Sequence, residues 1–172
     1  PRAANKSKDS AGFFAALDRL CSLACDAHQQ KSEFIEMLLK SKGTAPLAPL
    51  ALEYSGYPYV SHEKGLFAVD VEGLSECVTI MCSKVAGCEQ RRNEFAETIL
   101  KHLNQRIKKF NQKTGMNCIL SANKKVSVSS RFAALDAEEF PEVFTKIASV
   151  DEMTQALTYS QGVSWAGDGH IS

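Results

Sequence analysis

TGMNCILSANKKVSVSSRF, residues 114–132, decides how this chain is read, because it sets a helix end, an apolar strand and a polar loop in direct succession. A helix rich in Lys and Glu stops at Gly115, and a strand of Met116, Cys118, Ile119 and Leu120 follows. Ser121, Asn123, Lys124, Lys125 and Ser127 then arrive together. Open α/β sheets bind ligands at the carboxyl ends of their strands, and this loop leaves from such an end. Small polar residues beside two cations suit a phosphate, held by backbone N–H groups and positive charge. Adjacent lysines in a turn are more often solvated than ligands, so both readings stand here.

Upstream, residues 89–113 predict a long helix with Phe95, Ile99, Leu103, Ile107 and Phe110 on one face. Its basic end, Arg106, Lys108, Lys109 and Lys113, complements the helix dipole and reads as a solvated face. Before it, Leu66 to Val71 predicts a short buried strand, and Gly73 with Ser75 turns it into a helix over residues 76–84. Strand, glycine turn and helix are the local grammar of a parallel sheet. Glu76 falls in the first helical turn, where a carboxylate meets the positive dipole end.

Nearer the amino end, Phe13, Phe14, Leu17, Leu20, Cys21, Ala24 and Cys25 recur at steps of three and four. The pattern resumes at Phe34, Ile35, Leu38 and Leu39. This predicts one long amphipathic helix capped by Ser10, stopped at Gly43 and bent near Gln29 and Gln30. His28, in its interior, reads as a packed or solvent-facing residue rather than a ligand. Residues 44–65 carry Pro46, Pro49, Pro58 and Gly56 and predict a long loop, with Tyr54, Tyr57 and Tyr59 packed over the core or lining a cleft. Downstream, Pro141 starts a helix with Val143, Phe144, Ile147 and Ala148 inward, and residues 159–165 read as a last strand.

The fold class is therefore α/β: a partial parallel sheet of two or three strands flanked by long amphipathic helices. So few strands leave sheet edges and apolar helix faces bare, and the expectation is that another part of the same chain or a partner chain covers them.

Composition narrows the function classes. Length suits one domain, or a piece of a larger one, and a hydrophobic fraction of 44% is that of a globular protein. Twenty basic and twenty acidic side chains cancel, which removes a global electrostatic argument for nucleic acid or an anionic membrane. No run approaches the roughly 20 apolar residues of a membrane span, and no signal core opens the sequence, so a cytoplasmic location is expected. Cysteines at 21, 25, 77, 82, 88 and 118 match neither a paired zinc site nor a compact disulfide framework. Cys21 and Cys25, one helical turn apart, read as buried neighbours, with a redox pair as the other reading.

Five segments together carry a family resemblance: PRAANKSKDSAGFFAALDRL at the start, LFAVDVEGLSECV, KKFNQKTGMN, RFAALD and YSQGVSW. In this order and spacing the chain resembles anaerobic, class III ribonucleoside-triphosphate reductases over nearly its whole length. The resemblance implies the second half of their ten-stranded catalytic barrel, here a half-barrel. It also implies reduction of ribonucleoside triphosphates to deoxyribonucleotides through a glycyl radical, which generates a thiyl radical on a finger-loop cysteine. On this alignment the finger loop would precede Pro1, and the glycyl radical and structural zinc would follow Ser172. No cofactor and no catalytic residue is expected within these residues.

The loop after the strand does carry over. Family members read like T-P-A-E-S there and hold substrate phosphates; Ala122, Asn123, Lys124, Lys125 and Val126 take approximately the matching positions, without the proline and glutamate, and Ser121, Ala122, Asn123, Lys124 and Lys125 are the substrate-binding residues expected. At YSQGV the family is closer to YTNSV. The resemblance also places Ser75 and Glu76 near the active end, and pairs Arg131 with Asp136 as a buried brace for the loop. Three function classes follow: a reductase segment supplying scaffold and phosphate loop for a ribonucleoside triphosphate, a catalytically inactive reductase-derived scaffold subunit, or an α/β domain for another phosphorylated metabolite.

Overall fold

A computed structural model describes residues 1–40, 45–60, 64–121, 126–147, 149–150 and 157–159. Two long helices and a parallel strand pair form its centre. Helix α1 (Arg2–Lys6) leads into α2 (Ser10–Lys40), which is one continuous helix through Gln29 and Gln30. Its cap is Asp9 rather than Ser10: Asp9 Oδ1 accepts the Gly12 N–H at 2.7 Å, and a carboxylate there meets the dipole as well as the orphan donor. The predicted stop at Gly43 lies outside the described residues.

The proline-rich stretch is partly ordered into a 3₁₀ turn (Ala48–Ala51) and a two-residue hairpin of β1 (Glu53–Tyr54) and β2 (Tyr57–Pro58). Tyr57 and Tyr59 do not pack over the core; they are 68% and 80% exposed. Instead, Lys64 Nζ sits over the Tyr57 ring at 5.3 Å.

Strand β3 (Phe67–Asp70) pairs in parallel with β4 (Cys118–Ser121), in the register Phe67 to Cys118, Ala68 to Ile119, Val69 to Leu120 and Asp70 to Ser121. Alternation sends Phe67 and Cys118 into the core and leaves Ala68 and Ile119 exposed on the other face. Gly73, left-handed at φ 74°, ends the β3 turn and starts α3 (Leu74–Cys82), two residues earlier than the sequence pattern placed it. Helix α4 (Arg92–Thr114) closes on Gly115, whose left-handed backbone at φ 74° donates to Asn111 O at 2.8 Å.

Asn111 also closes the outer edge of β4. Its Nδ2 donates to Cys118 O at 2.8 Å and its Oδ1 accepts from Cys118 N at 2.9 Å, so a side chain stands in for a neighbouring strand. Helix α5 (Val126–Glu139) follows the loop, then α6 (Pro141–Ile147), with β5 (Ser149–Val150) and β6 (Leu157–Thr158) paired antiparallel. Of the expected strand over residues 159–165, Tyr159 directly follows β6, and 160–165 lie outside the described residues.

The main core joins Phe13, Cys21 and Cys25 of α2 to Val78 and Met81 of α3, Ile99 and Ile107 of α4, and the inward strand residues. Phe13, fully buried, meets Phe14 edge-on at 5.3 Å and Phe95 at 6.1 Å. Polar ties reinforce it. Asp18 of α2 accepts from His102 at 2.7 Å and pairs at 3.1 Å with Arg106, which stays 40% exposed while making this contact. His28 is structural: its Nε2 lies 3.0 Å from Ala68 O, and its ring packs 5.4 Å from that of Phe67.

Cysteine usage divides in two. Cys82 and Cys88 form a disulfide across the α3–α4 connection, a short-range pairing that the spacing analysis missed. Cys21, Cys25, Cys77 and Cys118 are free and buried, as the helical-turn spacing of the first two predicts. A second, smaller cluster of Ala133, Phe144 and Tyr159 sits under α5 and α6.

Candidate functional site

The parallel pair delivers its carboxyl ends to one place. Asp70 and Ser121 lie opposite each other there, and the Val71 N–H reaches Ser121 O at 3.4 Å. Ser121 is half-buried. Ala122, Asn123, Lys124 and Lys125, the rest of the expected phosphate loop, lie outside the described residues.

Beside these ends opens a cavity of about 330 Å³, bounded by Arg2, Leu20, Cys21, Val69, Glu72 and Leu120 among others. Its wall is mostly apolar, and its polar rim sets Asp70 and Glu72 beside Arg2, whose guanidinium is already paired with Asp136 and Glu139. Glu72 Oε2 is buried with no hydrogen-bond partner among the described residues, and burial, then Asp70 and Glu76, push the carboxyl above its ordinary range. Glu76 occupies the first turn of α3 as expected, but it is buried rather than solvated there. Described residues at the strand ends therefore offer negative charge. A phosphate bound nearby would need its cations from elsewhere.

Next to the cavity, residues far apart in sequence meet. Arg2 Nε donates to Asp136 Oδ1 at 2.8 Å, and Tyr159 OH donates to Asp136 Oδ2 at 3.0 Å. Arg2 also reaches Glu139 at 3.2 Å, which Lys6 meets at 2.7 Å. Asp136 is 4% exposed, so both donors compensate a carboxylate taken out of water. Burial and the neighbouring Asp136 charge raise the Tyr159 phenol far above its usual value, keeping it a donor. The predicted Arg131–Asp136 brace is not formed: Arg131 lies on the exposed side of α5, and Arg2 takes its place.

Two further contacts fasten the same corner. Ser129 Oγ and Thr158 Oγ1 share a hydrogen bond of 2.7 Å, tying the first turn of α5 to β6. Gly73 faces Pro1 so closely that a Cβ there would lie 2.5 Å from the proline ring, and 3.5 Å from Tyr159. Only glycine fits, for space as well as for its positive φ. Lys84 Nζ then binds the carbonyls of Ala4, Asn5 and Ser7 at 2.7, 3.1 and 2.9 Å, fixing the carboxyl end of α1.

Four of the five resemblance segments thus converge: Arg2 from the first, Gly73 from the second, Asp136 from RFAALD and Tyr159 from YSQGVSW. Sequence reasoning did not find Arg2 or Tyr159, because a pairing across 134 residues leaves no periodic trace. Among the described residues, no group of three or more His, Cys, Asp or Glu is arranged to hold a metal ion. No helix among them is long and apolar enough to cross a membrane.

No curated protein matches the chain. A family profile described as anaerobic ribonucleoside-triphosphate reductase matches residues 1–163. With nearly the whole sequence covered, the chain belongs to the anaerobic ribonucleoside-triphosphate reductase family.

Proposed function

We propose that these residues serve an anaerobic ribonucleotide reductase as part of its catalytic barrel, contributing scaffold and the loop that holds the substrate's phosphates. The observation that carries the reading is the convergence of Arg2, Gly73, Asp136 and Tyr159 beside the carboxyl ends of β3 and β4. Such ends are where parallel sheets receive ligands. The ligand is a ribonucleoside triphosphate, the substrate class of the family.

In this reading Ser121, Ala122, Asn123, Lys124 and Lys125 bridge β4 to α5, a 14-residue helix whose amino end follows the loop directly. Backbone N–H groups at a helix start favour an anion, and Lys124 and Lys125 supply the cations that the acidic strand ends lack. The Arg2–Asp136–Tyr159 network and the Ser129–Thr158 bond hold α5 against the rest of the fold. Radical chemistry, and the glycyl radical and zinc that accompany it, belong to other parts of a full-length relative.

The test is binding by the native polypeptide with Lys124→Ala and Lys125→Ala combined. Triphosphate affinity is expected to fall roughly 10-fold or more, from the loss of two charge-assisted contacts, with no change for the corresponding nucleoside. Equal triphosphate affinity in variant and parent would remove the loop from the site.

A second reading, a catalytically inactive scaffold subunit of a larger assembly, draws on the bare faces of the fold. Leu23 and Phe34 on α2 are 66% and 56% exposed, and Ile119 on the outer sheet face is 40% exposed. Retention of triphosphate binding without deoxyribonucleotide formation by the complete native protein would select it.

A further inference from the structure

The cavity beside the strand ends lies on the helix side of the sheet. Alternation along β3 and β4 puts Val69 and Leu120, which line it, on the same face as the buried Phe67 and Cys118, away from Ala68 and Ile119. Leu17 of α2 and Leu103 of α4 supply much of the wall, while Leu20 and Phe132 also line it yet stay 52% and 43% exposed. Its volume of about 330 Å³ is that of a small-molecule site, in which an apolar lining carries a few placed polar groups.

The polar group placed here is Glu72. Its Oε2 is buried and has no hydrogen-bond partner among the described residues. A carboxylate in that position lacks compensation for the water it has lost, and an orphaned buried acceptor calls for a partner. The fold does not supply one. Arg2, the cationic side chain on the wall, is committed to Asp136 and Glu139 at 2.8 and 3.2 Å. Asp70, also on the wall, and Glu76 press against Glu72 with like charge, and together with burial they raise its carboxyl above the ordinary range.

An occupant that completes this cavity must meet two demands at once. Its body must be apolar, to cover Val69, Leu103 and Leu120. Its head must bring N–H donors and positive charge to Glu72, since a neutral hydroxyl would answer the missing hydrogen bond and leave the charge uncompensated. We propose that the cavity is a binding site for a small aryl- or alkylammonium compound, with Glu72 as its counter-ion. The site lies behind the sheet and stands apart from the phosphate loop in chemistry as well as place, an acidic pocket for a cation rather than a cationic turn for an anion. Because Ala3 of α1 and Phe132 of α5 share its wall with α2 and α4, an occupant touches both regions of the fold and holds them together.

The test is titration of the native polypeptide at pH 7 with 2-phenylethylamine and with its neutral counterpart 2-phenylethanol, followed by calorimetry. The amine is expected to bind roughly 10-fold or more tightly than the alcohol, the margin of one charge-assisted contact. Glu72→Gln is expected to bring the two affinities together by weakening the amine alone. Ala24→Leu, which narrows the cavity from α2, is expected to weaken both. Equal affinity for amine and alcohol in the parent would overturn the proposal, as would amine binding that Glu72→Gln leaves unchanged, which would place the cation elsewhere on the surface. Binding of neither probe at millimolar concentration would leave the cavity to water and overturn it too. Triphosphate affinity is read separately in the lysine variants, so failure of either site leaves the other standing.

Discussion

The core around α2, α3, α4 and the strand pair and the small cluster under α5 and α6 are assembled by different physics. The first is built from interlocking apolar side chains, with Phe13, Ile99 and Ile107 at its centre. Among the described residues the second has three buried members, joined to the rest by the network of Arg2, Asp136 and Tyr159. Apolar packing tolerates volume-conserving exchange. A buried carboxylate with two specified donors does not, since loss of either leaves charge without compensation. Segments that carry the family resemblance supply both kinds: Phe13, Phe67 and Val78 to the first core, and Arg2, Asp136 and Tyr159 to the second.

The largest effect expected is at Phe13. Phe13→Ala removes a fully buried ring that touches Phe14 and Phe95, and it should lower the unfolding free energy by about 3 to 5 kcal/mol, measured by urea denaturation. Arg2→Ala comes next, at about 2 kcal/mol, and its effect should be local. Hydrogen exchange should speed in α5 while α2 and α4 stay protected. Equal loss of protection in all three helices would mean that the two regions open as one unit, and the contrast between them would collapse.

The smallest effect sharpens the comparison through pH. The Glu72 carboxyl is raised in the folded state, so folding favours its protonated form. That favourable contribution is complete below the unfolded pKa and is lost as pH rises through the folded one. Glu72→Gln should therefore be neutral near pH 3 and stabilising by about 1 kcal/mol at pH 7, read from melting curves across that range. A gain that is the same at both ends would show that ionisation of Glu72 is not what costs stability.

Much of the central architecture was legible because it rests on local patterns. Three-and-four periodicity marks α2 and α4, Gly115 marks the end of α4, and Gly73 marks the turn from β3 into α3. What escaped rests on distance. Arg2 replaced Arg131 as the partner of Asp136 because a salt bridge needs only proximity, and proximity across 134 residues is set by the packing of α1 against the rest. Asp9 displaced Ser10 as the cap by one residue, a shift within the ordinary uncertainty of helix ends. The tyrosines of the proline-rich stretch were expected inward on loop length alone, yet a tight hairpin turns Tyr57 out. Of the expected phosphate loop, Ser121 lies where the strand pattern placed it.

The thiols between α2 and β4 have a chemical consequence of their own. Cys21, Cys25 and Cys118 are all buried, and burial first, then the neighbouring Cys25 thiol, pushes Cys21 to about 12 and Cys118 to about 11. At neutral pH only a fraction on the order of 10⁻⁴ or less of each is thiolate, the species that reacts with alkylating reagents. The folded chain thus carries a built-in clock: iodoacetamide should label these positions only as fast as the interface between helix and strand comes apart. Their alkylation rate would time that opening without any probe being added to the molecule.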